Sequence, residues 1–261
     1  MKRVVVVADL HSGHGVGLTP PGWHLQGNGY TGKRSKLYAI GKEIWRWFDK
    51  KIEELQPIYL LVCNGDAIDG KGTKSSGTEL ITTDLEEQSK MAEIALLRAK
   101  AKHIVMTYGT GYHVSPTGED WEDIIARNVN ADKIGAHEWI EIDGVTMDFK
   151  HYIGSSQIPH GRHTAVARDR MQNLLWNEAQ LQPKAGIVLR SHVHYYNHCG
   201  GPGWLAMTTP ALQGMGSKFG SRKCSGIVDV GLISFDIENG SYSWQAHLAK
   251  LKRQRATALQ L

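Results

Sequence analysis

The chain contains no apolar run approaching the roughly 18 residues of a membrane-crossing helix, so no such span is expected. Cysteine is scarce. Cys63, Cys199 and Cys224 form an odd set with no Cys-x-x-Cys pair, so neither a disulfide framework nor a thiolate zinc site is indicated, and each reads as a buried or partly buried free thiol. Compositional bias is missing as well: 261 residues with 41% hydrophobic and 21% charged side chains argue against disorder, and no internal repeat argues for a fibre or solenoid. Met1-Lys2-Arg3 leads directly into a valine strand rather than a signal peptide, which makes the cytosol the expected location. The net charge is only +4, but the basic residues cluster at Lys33-Arg34-Lys36, at Lys71 and Lys74, at Lys218-Arg222-Lys223 and in the tail Lys250-Lys252-Arg253-Arg255. Such clusters suit an anionic partner, but taken alone a solvated surface and a frayed tail account for them better.

What the chain does have is thirteen histidines, several of them placed where predicted strands end. Residues 3–8 (RVVVVA) form a β-branched run that reads as a strand buried on both faces and stops at Asp9. Residues 11–32 carry seven glycines and read as a long functional loop. An amphipathic helix follows over residues 37–55, stopped by Pro57. Residues 58–63 are a second buried strand running into Asn64-Gly65-Asp66. A helix over residues 83–101 is given a capping box of Thr83 and Glu86. The third strand, residues 104–108, ends in the turn Gly109-Thr110-Gly111. A short helix at residues 120–129 precedes a hairpin of 137–142 and 145–151 that turns at Asp143-Gly144. A helix over 163–181, a strand over 186–190, and strands at 204–208, 226–237 and 242–248 complete the chain. The order β-α-β-α-β followed by mixed elements predicts an α/β fold of stacked mixed β-sheets flanked by helices, as one domain over residues 1–249 with a basic tail at 250–261.

Four polar clusters fall just after predicted strands, where α/β proteins place ligand-binding residues. They are Asp9-x-His11, Gly65-Asp66-x-x-Asp69, Gly109-Thr110-Gly111-Tyr112-His113 and His192-x-His194, with His151 also at a strand end. Each has a plain alternative. Asp9-x-His11 could be a turn, Asp66 a backbone cap, and His151 a hydrogen-bonded structural histidine. His192 and His194, two residues apart on an extended segment, share a face and are harder to dismiss. Carboxylates and imidazoles without thiolates suit manganese, iron or zinc, and two such ions can share one carboxylate.

In this order the clusters resemble the calcineurin-like metallophosphoesterase superfamily over residues 9–194, and the segments FKHYIG, RSHVH and TTPALQ look like its phage and prophage members. The resemblance implies the family's sandwich fold and two divalent cations, manganese first, with iron, zinc, nickel or magnesium as alternatives. It implies Asp9, His11 and His194 around one cation, His151 and His192 around the other, Asp66 between them, and Asp69 orienting a ligand. The family's Gly-Asn-His is altered here: Tyr112 or Thr110 stands where an Asn ligand is usual, while His113 is retained as the group near the leaving oxygen. Gly70 stands where Ser/Thr protein phosphatases carry an arginine, which lowers the expectation of a phosphoprotein substrate.

The implied activity is phosphate-ester hydrolysis by a hydroxide shared between the cations, with His113 protonating the leaving group. Arg162, with His160 and His163, is a candidate contact to substrate phosphate, though a helix N-terminal surface accounts for these residues equally well. A nuclease-like phosphodiesterase acting on DNA or a nucleotide heads the expectations. The alternatives are a phosphomonoesterase on a nucleotide or small molecule and a catalytically weakened module that binds nucleic acid or protein. The location implied is the cytoplasm of a bacterium or phage-infected host, with no membrane partner. Metal identity, substrate and oligomeric state are not legible.

Overall fold

The computed structural model describes residues 1–24, 33–72, 76–111, 120–156, 158–215, 226–252 and 258–260, with the side chains of 33–36 excluded. His113, Tyr112, Cys224 and, of the basic clusters, Lys74, Lys218, Arg222, Lys223, Arg253 and Arg255 lie outside the described residues.

The four valines of β1 (Lys2–Val7) place alternate side chains on opposite faces, and both faces are buried. Its neighbours are β2 (Leu60–Asn64) in parallel and β10 (Gly231–Glu238) in antiparallel register. With β3 (His103–Thr107), β4 (Lys133–Gly135) and β11 (Ser241–Leu248) they make a six-stranded sheet of order β11-β10-β1-β2-β3-β4. The second sheet has five strands: β5 (Glu138–Ile142), β6 (Val145–Lys150), β7 (Ile187–Arg190), β9 (Trp204–Thr208) and β8 (Asn197–Gly201), in that order.

Val4 and Val6 point between the sheets, where they pack with Val62, Phe235, Phe149, Leu189 and Met207. Val5 and Val7 point the other way, onto Ile44 and Ile52 of α1 (Lys33–Leu55), Ala95 of α2 (Leu85–Leu97) and Ile125 of α3 (Trp121–Asn128). On the far side, Val166 of α4 (Arg162–Glu178) covers Val188 and Ala206. The result is helices, sheet, sheet, helix, with both sheets mixed, which is the fold class the sequence predicts. No helix among the described residues is long and apolar enough to cross a membrane.

Several sequence expectations are corrected. The cap of α2 is Asp84, whose Oδ1 accepts from the backbone N–H groups of Glu86 and Glu87 at 2.9 and 3.3 Å; Thr83 and Glu86 form no capping box. The predicted strand at 226–237 becomes regular only from Gly231. Two strands carry no local signal: β4 has three residues, and β8 reads Asn-His-Cys-Gly-Gly, so each exists only through pairing with β3 and β9.

Parallel strands carry their C-terminal ends to one edge of a sheet, and here β1, β2 and β3 share one edge while β6 and β7 share another. Asn64, fully buried, ties these edges together. Its Oδ1 accepts from Thr107 Oγ1 at 2.8 Å, and its Nδ2 donates to Ser191 Oγ at 2.7 Å and to the Lys150 carbonyl at 3.3 Å. One side chain thereby links β2, the last residue of β3, the end of β6 and the residue after β7.

Candidate metal centre

The residues that follow these strand ends leave regular β geometry abruptly. Asp9, His11, Asp66, His192 and His194 all have φ between 44° and 71°, the left-handed region that non-glycine residues rarely adopt. Such conformations cost on the order of 1–3 kcal/mol each and persist where surrounding structure enforces them, most often at functional sites. The turns are fixed by backbone bonds between segments: Asp9 N–H donates to the Gly65 carbonyl at 3.0 Å, His11 N–H to Asp66 at 3.0 Å, and Ser191 N–H to His151 at 2.8 Å.

Two donor groups result, Asp9 with His11 and His194, and Asp66 with His151 and His192; within each, the ligand atoms all lie within 4.8 Å of one another. His194 Nε2 lies 3.1 Å from Asp9 Oδ1, and His151 Nε2 lies 3.1 Å from Asp66 Oδ2. The groups adjoin. Asp66 Oδ2 is 3.9 Å from His11 Nε2, and Asp9 Oδ1 is 4.0 Å from His151 Nε2, so a carboxylate oxygen from each group faces the other.

The donor set fits metal ions. His11 Nε2 and His194 Nε2 face each other at 3.3 Å. Imidazole nitrogens about 2.0–2.1 Å from one ion at a tetrahedral angle stand about 3.3–3.4 Å apart. Asp9 Oδ1 and His151 Nε2 are buried and have no hydrogen-bond partner among the described residues, although each lies within ion-pair distance of an opposite group. Each is held instead at ion-pair distance, Asp9 Oδ1 from His194 and His151 Nε2 from Asp66. Buried polar atoms are otherwise almost always bonded.

Around the donors the chain supplies orientation. His11 Nδ1 meets Asp69 Oδ1 at 3.0 Å, and His151 Nδ1 meets the Asn64 carbonyl at 2.8 Å, which leaves each Nε2 directed inward. Asp9 Oδ2 accepts from the His192 N–H at 3.2 Å. Thr110 donates to Asp66 Oδ1 from its backbone N at 2.7 Å and sits with Oγ1 at 3.2 Å from the same oxygen. Two glycines make room: a Cβ on Gly109 would stand 2.1 Å from Asp66 Oδ1, and one on Gly65 would stand 2.4 Å from His151 Nδ1. The Arg162 guanidinium packs 4.3 Å over the ring of Tyr195, the residue after His194, and His160 and His163 are exposed.

The electrostatics are those of paired charges in a buried place. Burial opposes ionisation of Asp9, but His194 and His151 outweigh it and hold the carboxyl below its usual range. Burial likewise works against a charge on His151, yet Asp66 and Asp9 raise its pKa to about 10, and Asp9 raises His194 in the same way against its burial. His192 is lowered by burial and by the charge of His151.

Three residues that sequence reasoning missed hold this arrangement. Glu122 at the start of α3 accepts from Ala67 N–H at 2.9 Å and from Gly109 N–H at 2.6 Å, clamping the Asp66 turn to the Thr110 turn. Burial, with Asp66 nearby, pushes its carboxyl up to about 8 despite those two donors. Gln88 of α2 bonds both the N–H and the carbonyl of Gly70, at 2.9 and 2.8 Å, and Gln213 Nε2 reaches Asp69 Oδ1 at 3.4 Å. Only the acidic first turn of α3 hinted at any of them.

No protein-family model and no curated protein matches the chain. Solved structures with similar chain courses include a single mutant of Vps29 from Entamoeba histolytica, at 13% identity and TM-score 0.45 over 95% of this chain and 99% of that one. A novel archaeal phosphodiesterase aligns at 13% identity and TM-score 0.47, covering 94% and 99%. A predicted phosphoesterase from Streptococcus pneumoniae TIGR4 aligns at 8% identity and TM-score 0.38, covering 94% and 98%. Likeness at this distance transfers neither activity nor metal, and the functional conclusion stands on the side chains of this chain.

Proposed function

We propose that the protein is a binuclear metal-dependent phosphoesterase of the calcineurin-like type, a hydrolase acting on a phosphodiester of a nucleotide or nucleic acid. One observation carries this reading: two adjoining Asp/His groups, five of whose six members sit at left-handed backbone positions, and each of which contributes a buried ligand atom without a hydrogen-bond partner among the described residues. A set of this kind has no structural task that simpler residues could not perform at lower cost.

Asp9, His11 and His194 would hold one cation, His151 and His192 the other, and Asp66 the space between, with Asp9 Oδ1 close enough to both groups to assist. Two bound divalent cations supply charge neutralisation at phosphoryl oxygens and a hydroxide nucleophile near neutral pH. The chain's own groups do the rest. Asp69 and the Asn64 carbonyl hold His11 and His151 with Nε2 inward, so no reorientation is needed when phosphate arrives. Thr110 fixes Asp66 Oδ1 and leaves Oδ2 toward His151. His113 is assigned to donate a proton to the departing oxygen, a task suited to an imidazole near its ordinary pKa.

The test is turnover of bis-p-nitrophenyl phosphate against p-nitrophenyl phosphate with manganese added. Faster cleavage of the diester is expected. Preference for the monoester would make the protein a phosphomonoesterase, and metal uptake without turnover of either would make it a binding module.

A further inference from the structure

His151, Tyr152 and Ile153 alternate inward, outward and inward at the end of β6. His151 belongs to the metal centre and Ile153 is buried against Val166 and Val188, while Tyr152 between them is 60% exposed. The backbone leading into Tyr152 is held at two successive residues: Ser191 N–H donates to the His151 carbonyl at 2.8 Å, and Asn64 Nδ2 donates to the Lys150 carbonyl at 3.3 Å. The ring is positioned too. Its centroid lies 4.9 Å from that of His192, with the planes inclined by 40°. A large aromatic side chain is thus displayed to solvent on a rigid mount, one ring away from where the phosphate is read to bind. Its exposure does nothing for the hydrophobic core.

The geometry points to Tyr152 as a stacking platform for a flat aromatic substituent of the substrate, which makes the preferred substrate a phosphate ester carrying a nucleobase. This inference rests on the phosphoesterase reading of the adjoining site and adds the residue that selects a nucleobase-bearing substrate. Phosphate contacts alone would not distinguish a nucleotide from a sugar phosphate. A tyrosine face beside them would, because each base has a π-face and stacking tolerates any sequence. Removing such a platform weakens binding by roughly 5- to 150-fold.

The experiment compares wild type, Tyr152→Ala and Tyr152→Phe, each loaded with manganese, by calorimetric titration with AMP and with ribose 5-phosphate. In parallel, kcat and KM are measured on thymidine 5′-p-nitrophenyl phosphate and methyl p-nitrophenyl phosphate, which share a leaving group. Wild type is expected to bind AMP at least about fivefold more tightly than ribose 5-phosphate. Tyr152→Ala should lose that preference and raise KM for the thymidine ester alone, Tyr152→Phe should keep both, and all three should melt together. Equal affinity for the two ligands in wild type, or an AMP preference that survives Tyr152→Ala, overturns the inference. Lack of turnover with the AMP preference present and dependent on Tyr152 would instead overturn the hydrolase reading and leave the base platform standing.

Discussion

His151 Nε2 stands 3.1 Å from Asp66 Oδ2 and forms no hydrogen bond with it or with any other described residue. Nδ1 of the same ring is bonded to the Asn64 carbonyl at 2.8 Å, so the ring is held in place with its inner nitrogen facing the Asp66 carboxylate. Metal binding must remove a proton from such a group when its pKa is raised to about 10. Affinity for manganese is therefore expected to climb with pH between about 6.5 and 10, with proton release on binding. Calorimetry in two buffers of different ionisation enthalpy measures that release; an identical heat in both would contradict it.

The same shift sets a stability trend for protein stripped by a chelator. A histidine raised in the folded state above its unfolded value of 6.5 contributes stability that is complete below that value and is lost as pH rises through about 10. Thermal melting of the stripped protein should fall over that window, and His151→Gln should flatten the fall. A Tm for wild type that rises over the same window would show that the imidazolium is not favoured in the fold.

His192 is half-buried, and among the described residues its ring lies against those of His151 and Tyr152. His192→Ala is expected to abolish diester turnover while shifting Tm by no more than a few degrees. Full activity in the purified variant would remove His192 from the centre.

Gly109 tests packing rather than chemistry. A methyl group there would meet Asp66 Oδ1 at 2.1 Å and the Asp66 backbone nitrogen at 2.4 Å, and backbone cannot step aside as a flexible side chain can. Gly109→Ala should displace the carboxylate and lower turnover by about 100-fold, with weaker metal binding. Kinetics titrated against manganese concentration read both effects.

Asn64 makes three hydrogen bonds in full burial, and Asn64→Ala leaves Thr107 Oγ1 and Ser191 Oγ each short of a partner. The expected loss is about 2–4 kcal/mol, or roughly 5–10 °C in Tm. A change below about 1 kcal/mol would mean that the strand ends are held by other means.

The strands that carry the centre were legible because β-branched runs such as Val4–Val7 stop at polar dyads, and the fold class followed from their order with the helices. The grouping of Asp9, His11 and His194 apart from His151 and His192, with Asp66 between them, came from resemblance, since no local pattern says which of six scattered residues meet. Glu122, Gln88 and Gln213 escaped notice for a physical reason. They act by bonding the backbone or side chains of distant segments, and a buried glutamate on a short helix looks like any acidic first turn until the Gly109 and Ala67 N–H groups are seen against it. Strands β4 and β8 were invisible because their partners, and not their own residues, make them strands.

The central claim is that these six side chains bind a pair of cations. Its most direct test is metal content after manganese loading and desalting, measured on wild type, on Asp9→Asn and on Asp66→Asn. Two ions per chain in wild type, with fewer in each variant, is the result this account predicts. No bound metal in wild type, or an unchanged content in both variants, would contradict it.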